Sequence, residues 1–174
     1  MKHYISIIIL AIFLFSCNSH SKHWEAISQV ESYIEEKPDS ALVTLEQIDL
    51  SELSGKEEKA KHALLYSMAL DKNFVDKTDF EVLQPAIDYY EDNGSSTDKL
   101  RTYFYQGRIY QNVGNDALAM ECFVNALSKG ANSEDNKTKA RVNYAQAMIY
   151  YSLYDWDNFI KSIKKAATLY QESG

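Results

Sequence analysis

LRTYFYQGRIYQNVGNDALAMECFVNALS, residues 100–128, is the stretch on which the fold turns. Apolar and small residues recur three and four apart on both sides of Gly114-Asn115, the spacing of two amphipathic helices joined by a tight turn. Gly107 has no side chain, so the second helix can approach the first closely, while Tyr110 and Phe123 fill the wedge between them. Forty positions later much of the pattern returns. Arg, Gln, Ile, Tyr and Ala stand at 101, 106, 109, 110 and 126, and again at 141, 146, 149, 150 and 166. Ala147 takes the slot of Gly107, and Ile163 that of Phe123. Self-similarity at such a period marks stacked units, each too small to bury its apolar face alone.

The slots filled by Tyr103, Gly107 and Tyr110, then by Ala119, Phe123 and Ala126, resemble the tetratricopeptide repeat (TPR), although Gln106 and Ala131 stand where that pattern has leucine and proline. The resemblance implies an all-α fold, a helical-hairpin repeat solenoid (TPR-like superhelix) of about four helix pairs. The repeat domain would span 24–174, with its best copies at 100–133 and 140–171.

Upstream, Trp24, Ile27, Val30 and Ile34 predict a helix over 22–36, ended by Lys37-Pro38 because the residue before proline is pushed out of the helical region. Asp39 suits the N-cap of a second helix carrying Leu42, Leu45 and Ile48. Residues 50–58 read as a polar connection, and Ala63, Tyr66, Ser67 and Leu70 as a third helix over 59–71. Asp79 can cap a fourth helix with Leu83, Ile87 and Tyr90 inward, where Pro85 must kink the helix or delay its start. The last helix carries Ile160, Ile163, Ala167 and Tyr170, so its outer side is expected to be polar or to pair with another chain, unless the chain is a shortened relative of a longer protein.

The first residues carry an address. Lys2 precedes an apolar run from Ile5 to Phe15, too short for a membrane span of about 20 residues. Leu14-Phe15-Ser16-Cys17 resembles a bacterial lipobox, which implies a signal peptide over 1–16, a diacylglycerol thioether on Cys17 and a lipidated tether over 17–23. Buried acyl carbons contribute about 0.8 kcal/mol per CH2, enough with two or three chains to hold a protein on a bilayer. The implied location is the cell envelope, facing the periplasm from either membrane.

A net charge of −7 opposes binding to nucleic-acid phosphates, so no nucleic-acid partner is expected. With Cys17 acylated, Cys122 has no partner for a disulfide and reads as a small buried hydrophobe. No metal-ligand spacing and no glycine-rich phosphate loop occurs, and acidic pairs such as Glu35-Glu36, Glu57-Glu58 and Asp155/Asp157 read as solvated faces and turns. No catalytic residue, metal or cofactor is therefore assigned, and the chain is not expected to be an enzyme.

In the repeat family the first helix of each pair lines an inner groove, and carrying that over gives Arg101, Phe104, Arg108, Gln111 and Asn112 from one unit. The next unit contributes Arg141, Tyr144, Met148 and Tyr151. All three arginines of the chain fall in these slots, while the fifteen lysines are scattered. Arginine's planar fork suits carboxylate recognition, so these residues either hold a protein or peptide bearing an exposed carboxylate or pair with acidic residues of neighbouring helices. The expected role is a membrane-anchored protein- or peptide-binding scaffold. The chain also resembles the N-terminal part of longer repeat lipoproteins of diderm bacteria, which implies as an alternative the periplasmic sensory portion of a truncated transmembrane regulator. Thirteen tyrosines and two tryptophans leave a glycan-binding lipoprotein as a third reading.

Overall fold

A computed structural model describes residues 20–173, so the signal peptide expected over 1–16 and the lipidation expected at Cys17 lie outside the described residues. Among the described residues the chain is all-helical: α1 (Trp24–Tyr33), α2 (Pro38–Glu46), α3 (Gly55–Lys72), α4 (Gln84–Asn93), α5 (Ser96–Asn112), α6 (Asp116–Lys129), α7 (Asn136–Ser152) and α8 (Trp156–Glu172), with a 3-10 turn at Leu50–Glu52. None of these helices is long and apolar enough to cross a membrane.

Each helix packs on its successor, and α1 also touches α3, α3 touches α5, and α5 touches α7. The odd-numbered helices therefore form one layer and the even-numbered helices a second layer behind it. Between the layers lies a continuous core, with Ile27, Leu45, Leu65, Leu83, Leu100 and Phe123 all but inaccessible to water. The α5–α6 and α7–α8 pairs are adjacent, joined through α6 on α7 and α5 on α7.

The close approach at Gly107 is real. A Cβ built there would lie 2.3 Å from Cε1 of Phe123, far inside contact distance. Helix ends are set by short side chains. Ser95 and Asp98 form a reciprocal capping box on α5, and Asn115, Asp135 and Asp155 accept from the backbone N–H three residues on to start α6, α7 and α8.

Three boundaries differ from the sequence reading. Pro38 begins α2 and Lys37 is its cap, because proline at the first helical position has no N–H to leave unsatisfied. Asp39 sits instead in the first turn, where its charge favours the helix dipole. Helix α3 starts at Gly55, with Glu57 and Glu58 in its first turn. Pro85 resolves in favour of delay, since α4 begins at Gln84 with the proline in its first turn, and Asp79 accepts from the N–H of Glu81 in the preceding turn.

Cys122 is buried, and burial pushes its thiol up to about 11, consistent with a packing role. Tyr170 and Ile160 leave an apolar strip half-exposed on α8, beside the exposed lysines Lys161, Lys164 and Lys165. That outer side is thus mixed, polar along the lysines and apolar along this strip.

Candidate functional site

The layer of α1, α3, α5 and α7 carries the residues that the sequence singled out, and a ladder of ion pairs runs through it. Arg101 donates from Nε to Asp135 at 2.7 Å and from Nη1 to Glu31 at 2.8 Å. Lys61 holds the other oxygen of Glu31 at 2.8 Å. Arg108 donates from Nε to Asp71 at 2.9 Å and from Nη1 to the side-chain carbonyl of Gln111 at 3.0 Å. Arg141 takes Glu35 in a two-pronged contact at 3.0 and 2.6 Å, and Lys72 reaches the same carboxylate at 2.9 Å.

These pairs are drawn partly out of water, and their protonation follows. Burial alone would raise the Glu35 carboxyl, but hydrogen bonds from Arg141 and Lys72 outweigh it and hold the group below its ordinary value. Glu31 behaves likewise under Lys61 and Arg101, and Asp135 under Arg101 and the Thr138 N–H. Burial works to lower Arg141, but Glu35 raises it above its ordinary value, while burial pulls Lys72 down in spite of Glu35. Each arginine is thus paired within the chain with a carboxylate of another helix, turn or cap, and Arg141 has both terminal nitrogens taken by one.

Two members of the acidic pairs, Glu35 in the ladder and Glu58, depart from the solvated reading. Glu58 is 0% exposed and accepts from the backbone N–H and hydroxyl of Ser21 and from the backbone N–H of Ser54. Burial raises its carboxyl, yet those hydrogen bonds bring it below the ordinary carboxylate value. Asp155 caps α8 through Asn158.

Beside the ladder a cleft of roughly 430 Å³ opens between α5, α7 and the loop after α3. Phe104 lies at its bottom, 3% exposed, and Phe74 and Tyr144 stand at its rim, 92% and 50% exposed. Met148 and Ala145 complete the apolar lining, and Arg108, Gln111 and Arg141 bring the polar edge of the ladder to it. Six of the sequence-derived groove residues therefore meet in one place: Phe104, Arg108, Gln111, Arg141, Tyr144 and Met148. Three do not line it. Arg101 is engaged with Glu31 and Asp135, and Asn112 donates to the backbone carbonyl of Lys77 beside a separate small cavity. Tyr151 packs edge-on against Trp156 and near Phe159 at the α7–α8 turn.

Sequence reasoning missed Asp71, Phe74 and Asp76, which come from the end of α3 and the loop behind it. A signal was present. Phe74, Gly114 and Tyr154 lie forty residues apart, each just beyond the end of a first-layer helix, and all three have left-handed backbone, with φ of 60°, 75° and 58°. The period that relates α5 to α7 thus extends back to α3, and placing Gly114 in its turn points directly to Phe74. No protein-family model, curated protein or solved structure matches this chain.

Proposed function

We propose that this chain is a TPR-like helical-repeat scaffold that binds a protein segment in the cleft between α5, α7 and the α3–α4 loop. The observation that carries this reading is the cleft itself, an apolar hollow rimmed by half or fully exposed aromatics on the layer that lines the inner face of such arrays. The two-layer stacking and the forty-residue register of the left-handed positions support a repeat solenoid. The lipobox-like sequence before Cys17 supports a lipid anchor in the cell envelope.

Two experiments test the two halves. A photo-crosslinking phenylalanine analogue placed at Tyr144 should capture a partner in the native host, whereas one at Val124, exposed on α6 in the other layer, should not. Equal capture at both positions removes the cleft from the proposal. Cys17→Ala should abolish acyl labelling and release the protein from the membrane fraction, and retention of either overturns the anchor.

A further inference from the structure

The rim of the cleft and the charges around it select among possible occupants. Phe74 combines a left-handed backbone with a side chain 92% exposed. For a residue with a Cβ that conformation costs on the order of 1–2 kcal/mol, and a ring in water recovers nothing by burial. At the equivalent place in the next unit stands Gly114, which adopts the same backbone without that cost. Tyr154, one unit further on, has the same backbone at 76% exposure beside Trp156, so the conformation belongs to the helix end, and what sets Phe74 apart is the cleft it lines.

The charges lining the cleft are mostly cancelled. Asp71 is paired with Arg108, and Arg141 with Glu35, but the exposed Asp76 has no charged partner among the described residues. A ligand carboxylate would find the Arg141 fork filled by Glu35 and, at Arg108, only Nη2 without a partner among the described residues. A ligand cation would displace nothing, would meet Asp76, and would lie within reach of two exposed ring faces, a contact contributing about 0.5–1 kcal/mol at such sites. The net charge of −7 also draws basic partners from a distance. The cleft is open on one side and has room for two or three side chains of a peptide lying across it.

We infer that the cleft takes a peptide in which an apolar side chain is flanked by lysine or arginine. The apolar group sits over Phe104 and Met148, and the cation lies between Asp76, Phe74 and Tyr144. This inference rests on the scaffold reading above, and it replaces the carboxylate-bearing ligand suggested by the arginines.

Fluorescence anisotropy of the detergent-solubilised full chain tests it, using three fluorescein-labelled dodecapeptides that share a Leu-Phe core flanked by lysines, glutamates or serines. The lysine peptide should bind about tenfold more tightly than the glutamate peptide, and the preference should shrink in about 0.5 M salt. Asp76→Lys should erase or invert that preference. Phe74→Gly should weaken the lysine peptide severalfold without lowering the unfolding midpoint, which separates loss of a contact from loss of fold. Tighter or equal binding of the glutamate peptide, or a preference untouched by Asp76→Lys, overturns the inference and leaves the scaffold reading standing. Binding of none of the three overturns both.

Discussion

Arg141 on α7 donates from both terminal nitrogens to the two oxygens of Glu35, in the turn that ends α1, across 106 residues of chain. Because Lys72 of α3 shares that carboxylate, a single anion ties α1, α3 and α7 together. Glu35→Gln keeps the shape and removes the charge, leaving two partly buried cations facing each other. Residual exposure screens the pair, so the unfolding free energy should fall by about 1–2 kcal/mol. Urea unfolding measures the loss, and a double-mutant cycle with Arg141→Gln assigns it. Effects that add to within about 0.3 kcal/mol would mean that the two residues do not stabilise each other.

Acid should weaken the same ladder. Glu31, Glu35, Glu58 and Asp135 all have folded-state values depressed below the ordinary carboxylate range. A depressed carboxyl contributes its stability in full above the unfolded-state value, about 4.5 for glutamate, and loses it as pH falls through the lower folded value. The thermal midpoint should therefore begin to fall below about pH 6.5, where the unfolded chain protonates His62 before the buried folded side chain does, and drop steeply below about pH 4.5. Glu58→Gln should flatten part of that drop, and an unchanged profile would show that Ser21 and Ser54 do not favour its charged form.

Gly107→Ala places a methyl group where the Phe123 ring already is, 2.3 Å from its nearest carbon. Overpacking of this kind costs roughly 1–3 kcal/mol. The second helix pair contains a native answer, with Ala147 in the glycine slot and Ile163 in the phenylalanine slot. Adding Phe123→Ile to Gly107→Ala should recover part of the loss, read as a higher thermal midpoint than that of Gly107→Ala alone. No recovery would mean that the ring is not what the methyl group meets.

Phe74→Gly should raise the unfolding free energy by about 0.5–1 kcal/mol, because glycine adopts the left-handed backbone freely and the lost ring is almost wholly in water. Urea titration reads the change. A fall in stability would show instead that the ring packs in solution. Gly114→Ala, at the equivalent turn, should move stability in the opposite direction by a similar amount.

Much of the α5–α8 half was readable from residue types alone. The Gly107–Phe123 contact is steric and local to one hairpin, and the forty-residue register exposes its neighbour. Pro85 could be placed near a helix start for equally local reasons, since a missing N–H and a fixed φ are properties of the residue itself. The partners of Arg101, Arg108 and Arg141 were a different matter. Their carboxylates lie 34 to 106 residues away, and only the curvature of the first layer decides that Glu35 rather than a ligand meets Arg141. Glu58 shows the same limit, because a glutamate in a first helical turn looks solvated until Ser21 folds back over it.

That fold-back has a mechanical consequence. Ser21 is fastened to Glu58, and Lys22 and His23 to Glu52, so the strand leading into α1 is stitched to the start of α3 and the turn before it. A pull on the N-terminus would load these stitches before any helix, sparing α1 from being peeled away. A molecule moored by that end would take up tension through its second hairpin, the one whose α3 end and loop line the cleft.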